Sequence, residues 1–180
     1  MTAKLFGNKK IMINGLSQKD LKDAKEFVVF INSLVEEDAK ILMDKKMTMK
    51  EEKEFLKSNI KNVRNKKRVY LIARDGKKIV GNTHIEQERY KSNHIGTFAV
   101  AIAQGYRGIG LGNYLMSEII KFAKRGFNPK LKIIQLRVYK NNKPAINLYK
   151  KMGFKIVAKI PKQVRHKGKL IDEFIMLKYL

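Results

Sequence analysis

The chain has 180 residues, 44% hydrophobic and 31% charged, with no cysteine and a formal net charge of +24. That length and composition suit a single folded domain over residues 1–180 and exclude a disordered chain; the missing cysteines exclude disulfides, thiolate metal sites and a cysteine nucleophile. No apolar run approaches the ~20 residues of a membrane helix and no signal core lies within Met1 to Ile13, so no membrane partner is expected and the cytoplasm is the expected compartment.

In chain order, Lys10 to Asn14 reads as a first strand. Ser17 or Asp20 starts a helix whose apolar residues Leu21, Ala24, Phe27, Val28, Ile31, Leu34 and Val35 follow helical spacing. Thr48 with Glu51 forms a capping box before a second helix containing Phe55, Leu56 and Ile60. Val69 to Arg74, a turn at Asp75-Gly76 and a run from Ile79 make a hairpin, and His94 to Ile102 is another strand. Gly112 to Lys124 reads as a helix with Leu115, Ile119 and Phe122 on one face and Gly126 as its stop. Ile133 to Tyr139 is a strand and Ala145 to Met152 a short helix. Phe154 to Ile160 and Leu170 to Leu177 are strands around a His166 to Lys169 turn. This order predicts an α/β (α+β) fold, a mixed sheet with helices on both faces.

The charge is uneven. Acidic residues crowd between Asp20 and Glu54, whereas none occurs from Ile119 to Ile171. The acid-free half carries a positive field that attracts anions such as nucleic acid or a polyphosphate, although lysines that merely keep the protein in solution give the same composition.

Between the strand ending at Ile102 and the following helix lies a loop with Gly108, Gly110 and Gly112 at alternate positions. Backbone N–H groups there, with the helix N-terminus, form a nest suited to a pyrophosphate. The dinucleotide pattern G-x-G-x-x-G fails, because Asn113 or Leu115 stands at the third glycine, and no Walker sequence follows. A simple tight turn stays open as the other reading of the loop taken alone.

Arg107-Gly108-Ile109-Gly110-Leu111-Gly112 matches R/Q-x-x-G-x-G/A and resembles the pyrophosphate loop of GNAT acetyltransferases. The stretch from Leu136 to Phe154 resembles that family's second block, a strand followed by N-x-x-A-x-x-L-Y-x-x-x-G-F that here contains Asn142, Ala145 and Tyr149. Both blocks stand in the family's order. The resemblance implies a sheet of about six to seven strands, splayed at the strand that binds acetyl-coenzyme A, and an enzyme that moves an acetyl group to an amine. It implies that Val100, Ala101 and Ile102 pair with the pantetheine arm, with an N–H near Ile102 facing the oxyanion. It places the pyrophosphate on Arg107 to Gly112 and Asn113, the pantetheine arm against Asn142 and Ala145, and the thiolate's proton donor at Tyr149. A core aromatic is the alternative for Tyr149. No metal is implied, and a homodimer stays open.

This chain departs from its relatives at the general base. Arg137 occupies the position of a glutamate in ribosomal-protein alanine acetyltransferases, and Thr97 that of a carboxylate in others. His84, Glu86 and Glu88 remain as groups that reach the site through water or are solvated strand residues. Acceptor walls in the family imply Asp38, Met43 and Met47, together with His166, Asp172 and Glu173. The acceptor is expected to be a small amine, amino acid or polyamine, with a protein N-terminus or lysine as the alternative. A nucleic-acid-binding protein on the same scaffold is the more distant reading. The pI of about 10.2 favours it, while the absence of any recognition motif and the placing of Tyr106, Tyr139 and Tyr149 in the cofactor blocks count against it.

Overall fold

The computed structural model describes residues 2–180. Eight strands form one sheet among them, in the order β1-β2-β3-β4-β5-β6-β8-β7. The count exceeds the six to seven expected, because the first strand is a hairpin: β1 (Thr2–Phe6) pairs with β2 (Lys9–Gly15) around a turn at Gly7. Four exposed residues in β1 mask its pattern, and only Phe6 is buried.

Ser17 and Asp20 cap a short 3-10 segment over Gln18–Asp23, and helix α1 (Ala24–Glu36) begins only after it. Its buried face is Ala24, Phe27, Phe30 and Leu34. Phe30, absent from the expected stripe, takes the place of Val28. Helix α2 (Met49–Arg64) starts at the Thr48–Glu51 capping box. It buries Leu56 and Ile60 but leaves Phe55 44% exposed. The hairpin of β3 (Arg68–Asp75) and β4 (Lys78–Gln87) turns at Gly76 as its sequence requires.

β5 (Ile95–Ile102) is antiparallel to β4 and parallel to β6 (Ile133–Tyr139). Between them in sequence lies α3 (Leu111–Gly126), which buries Leu111, Leu115, Met116, Ile119, Ile120 and Ala123. This i, i+4, i+8 spacing gives one apolar face. Phe122 falls outside it and is 52% exposed. Helix α4 (Lys143–Lys151) leads to the long hairpin β7 (Lys155–His166) and β8 (Lys169–Tyr179).

Alternation in β4 separates the two faces of the sheet. Gly81, Thr83, Ile85 and Gln87 are buried, while Asn82, His84 and Glu86 are half-buried. The first set faces α3, as the closeness of Gly81 to Leu115 shows. The second faces α1 and α2, where Asn62 of α2 donates to Glu86 Oε1 at 3.4 Å. Fully buried Ile85, Leu115, Ile119 and Met176 fill the α3 side, each contributing about 1.5–3 kcal/mol on leaving water.

Candidate active site

The sheet comes apart at its centre. β5 and β6 pair only at Ile95–Ile133, Gly96–Ile134 and Thr97–Gln135. β6 then continues along β8 as far as Tyr139, and β5 continues along β4 as far as Ile102. The Ala103 N–H donates to Val80 O at 2.9 Å, which fixes the alternation of the antiparallel ladder. Ala99 and Ala101 therefore direct their backbone groups at β4, while Phe98, Val100 and Ile102 direct theirs into the gap. Of the three residues expected to pair with an incoming arm, Val100 has a free backbone edge and Ile102 a free N–H, its carbonyl being taken by Arg107. The backbone of Ala101 is taken by β4, and only its side chain borders the gap.

The gap runs into the glycine loop. Gly108 and Gly110 have φ of +77° and +89°, a region L side chains rarely enter. The first backbone bond of α3 runs from the Tyr114 N–H to Gly110 O at 3.1 Å. The N–H groups of Leu111, Gly112 and Asn113 lie ahead of it, at the positive end of the helix. Space beside Gly108 and Gly110 is open, whereas a Cβ on Gly112 would lie 3.1 Å from Ile102 Cδ1 and 3.4 Å from Leu148 Cδ2. Gly112 thus brings α3, β5 and α4 together at one point. The Arg107 Nε donates to Ile102 O at 2.8 Å, and its guanidinium also pairs with Glu37 at the end of α1.

Asn142 caps α4, its side-chain oxygen accepting weakly from the Ala145 N–H at 3.4 Å. That orientation leaves the side-chain NH2 free to donate. Tyr149, on the same helix, is 8% exposed and packs edge-to-face on Phe98 at 6.0 Å. Phe98 is the first β5 residue past the last β6 pairing, so the tyrosine stands where the strands part. Burial pushes its phenol up to about 12. Among the described residues its hydroxyl makes no hydrogen bond, yet it is not one of the sealed, unpaired polar atoms. It therefore faces accessible space with its proton in place.

The opposite face of the gap is polar. Thr97 donates to Glu88 Oε1 at 2.6 Å and accepts from Gln135 Nε2 at 2.9 Å. Glu86 is paired with Arg68, so neither it nor Glu88 is a free base. His84 stacks on Tyr70 at 5.5 Å. Burial first, and the nearby Arg68 charge second, lower it to about 4.

The expected acceptor walls meet only in part. His166 lies 3.5 Å from the Asp38 carboxylate and 3.1 Å from its carbonyl oxygen, so the α1–α2 connector touches the last hairpin. The Tyr139 O–H donates to Ile41 O at 2.7 Å and Lys40 Nζ to Asn141 O at 3.0 Å. Met47 is tied to Asn32 through its backbone, and Met43 is half-buried in the connector. Asp172 accepts the Lys162 N–H at 3.1 Å and sits among Lys140 and Lys159, which together hold its carboxyl below the usual range, the backbone bond most strongly. Glu173 is 1% exposed and its carboxylate meets Arg137 at 2.5 Å. It is a buried ion-pair partner, not an open wall. Glu52 is a further buried carboxylate, on α2, that the sequence does not mark: one residue after a capping glutamate, it has the look of an exposed first-turn acid.

Among the described residues no group of three or more His, Asp or Glu side chains is arranged to hold a metal ion, and no helix is long and apolar enough to cross a membrane. The acetyltransferase (GNAT) family model matches residues 32–154. An L-amino acid N-acetyltransferase of Escherichia coli (strain K12) is 29% identical over 99 residues, 54% of this chain and 60% of that protein. An N-alpha-acetyltransferase of Sulfurisphaera tokodaii is 38% identical over 76 residues, 42% of this chain and 41% of that protein. The matched regions thus span less than two thirds of either curated relative. The crystal structure of a GNAT-family acetyltransferase from Streptococcus pneumoniae superposes with a TM-score of 0.82 at 29% identity, over 94% of this chain and 99% of that one.

Proposed function

Since the chain belongs to the acetyltransferase (GNAT) family, we propose that it transfers the acetyl group of acetyl-coenzyme A to a primary amine, by direct attack and without an acyl-enzyme. The observation that carries this reading is the open edge of β5 at Val100 and the Ile102 N–H, running into the N–H groups of the glycine loop. An extended amide-bearing arm completes such an edge as an added strand would, and a pyrophosphate suits the helix start. These residues fit the group.

When bound, acetyl-coenzyme A supplies the acetyl group as a thioester. Val100 and Ile102 then direct N–H groups to the side where charge on the acetyl oxygen develops. Asn142 donates its side-chain NH2 toward the arm, and Ala145 leaves room beside it. Tyr149 holds a proton at the parting of the strands, for the sulfur. Its phenol binds that proton more firmly than a thiolate with a pKa of roughly 8.5, so Tyr149 assists by donating a hydrogen bond more than by surrendering the proton.

The acceptor side favours a small amine or an amino acid over a protein chain. The α1–α2 connector is fastened at Ile41, Lys40 and Asp38 to β6, the turn before α4 and the last hairpin, which narrows the entrance. The N-acetylation named for both curated relatives agrees with transfer to nitrogen. Incubation with acetyl-coenzyme A and a panel of primary amines tests the proposal: N-acetylated product and stoichiometric free thiol are expected. Bound cofactor with no acetylated amine from a broad panel would overturn it.

A further inference from the structure

Most carboxylates of the acidic segment are already engaged. Asp20 and Asp23 pair with Arg74, Glu36 with Lys46, Glu37 with Arg107 and Asp38 with His166; Glu51 caps α2 and meets Lys45. Glu52 differs. It is 4% exposed, and among the described residues its carboxylate makes no hydrogen bond or ion pair. The sealed side-chain atoms that lack a hydrogen bond belong to Asn59, Arg68 and Glu173. The Glu52 oxygens are not among them, so they open onto accessible space.

Helix α2 lies over the acceptor face, where its Asn62 donates to Glu86, and the buried side of α2 includes Glu52. The Glu52 charge is felt by Tyr70, whose phenol it helps to raise. Tyr70 accepts from Asn82 Nδ2 at 2.8 Å and is the cross-strand partner of His84, which is in turn the partner of Ala99. Strands lie roughly 4.8 Å apart, so Tyr70, His84 and Ala99 form one row from beneath α2 to the free edge of β5. Ala99 is exposed although it lies at the centre of an eight-stranded sheet, so the row is the floor of an open cleft. The neutral His84 ring offers that cleft a hydrogen-bond acceptor.

We propose that Glu52 is the acceptor-recognising carboxylate: it holds the ammonium group of a singly charged primary amine and takes its proton. This rests on the acetyltransferase reading above. One N–H bond of the ammonium breaks, its electron pair stays on nitrogen, and an O–H bond forms on Glu52. The nitrogen is then a nucleophile for the thioester carbon. Glu86 and Glu173 on the same face are neutralised by Arg68 and Arg137, which leaves Glu52 as the one buried acid without an ion pair among the described residues and therefore one buried site for an ammonium. A polyamine would bring further charges toward Arg68 and Arg137 without partners for them.

Burial alone holds the Glu52 carboxyl at about 7. Tyr70 of β3 is the titratable group coupled to it from the packed elements, and no charged neighbour adds to the effect of burial. The buried residues of α1 are all apolar.

The test uses the full chain, acetyl-coenzyme A and three probe amines: benzylamine, L-methionine and spermidine. Free thiol is followed from about pH 5.5 to 9, and amine binding to the coenzyme A complex is measured by calorimetry. With wild type, benzylamine or L-methionine should bind and react in preference to spermidine, with kcat/KM rising through about pH 7. Glu52→Gln should raise the KM and Kd of the reactive amine about tenfold or more and remove that acid limb. Glu52→Asp should restore the limb in part. Cofactor affinity measured on the same variants separates the two readings. Wild type that binds no acetyl-coenzyme A overturns the acetyltransferase reading itself. Glu52→Gln with unchanged cofactor affinity, acceptor KM and pH limb, or a wild-type preference for spermidine, overturns the Glu52 assignment alone.

Discussion

The Arg107 guanidinium donates to Ile102 O at 2.8 Å, five residues back along its own chain. This bond fastens the glycine loop to the last residue of the splayed strand, and the pairing with Glu37 adds the end of α1. Arg107 thereby sets the distance between the strand edge that would hold the pantetheine arm and the nest that would hold the pyrophosphate. Arg107→Ala should raise the acetyl-coenzyme A Kd by ~10–100-fold with the fold intact, in line with a hydrogen bond to a charged group. Arg107→Lys should recover little of it, because an ammonium lacks the planar fork that serves two partners. Calorimetry on folded variants, checked by circular dichroism, measures both.

Gly110 is required for its backbone, not for lack of room. Its φ is +89° and nothing lies within 4 Å of a Cβ built there. Gly110→Val should turn the loop away from this conformation and abolish cofactor binding, while the packed face of α3 keeps the fold. A Gly110→Val protein that binds acetyl-coenzyme A like wild type would remove the pyrophosphate from this loop.

Tyr149→Phe deletes a hydroxyl with no protein partner, so the melting temperature should scarcely move. If the hydroxyl serves the sulfur, kcat should fall by ~10–10³-fold with the cofactor KM nearly unchanged. Since the phenol stays protonated up to about 12, wild type should show no alkaline loss of activity from this residue below that pH. Single-turnover rates equal to wild type would make Tyr149 a packing residue.

Glu52 gives a stability prediction independent of activity. Its folded-state value of about 7 lies above the model-peptide value of 4.5, so the folded protein binds the proton more tightly than the unfolded chain. Stability relative to a neutral side chain is full below pH ~4.5, falls as pH rises toward the folded value, and stays reduced above it. Glu52→Gln should therefore melt near wild type at about pH 4.5 and increasingly above it up to pH ~7, with a constant gain beyond. Parallel melting curves across that range would place Glu52 in an ordinary solvated setting.

Much of this architecture is legible in the chain because local chemistry agrees with the fold. Thr48 with Glu51, Asp75-Gly76 and the apolar stripe of α3 each specify a local structure that packing then uses. The glycine loop and the block from Leu136 to Phe154 are sequence-local, so their residues could be named before any geometry. The remainder depends on distant partners. β1 is exposed along most of its length and its pairing with β2 defines it. Glu173 reads as an open acid until Arg137 is placed against it across β6 and β8. Ala101 and Ile102 are adjacent in sequence but differ in which way the ladder turns their backbone groups. Glu52 looks like any acid in the first turn of a helix, and only the docking of α2 on Tyr70 buries it.

Cofactor binding by the wild-type chain is the most direct test of the splayed strand and glycine loop as an acetyl-coenzyme A site. Thermal unfolding with and without acetyl-coenzyme A, with Kd from calorimetry, measures it. A micromolar Kd is expected. At ~100-fold excess over Kd the ligand should add ~2.7 kcal/mol, a rise in Tm of about 5–10 °C for a protein of this size. The rise should vanish in Gly110→Val. A folded wild-type protein whose Tm and heat of mixing are unmoved by saturating acetyl-coenzyme A would contradict the assignment of the splayed strand and glycine loop to this cofactor.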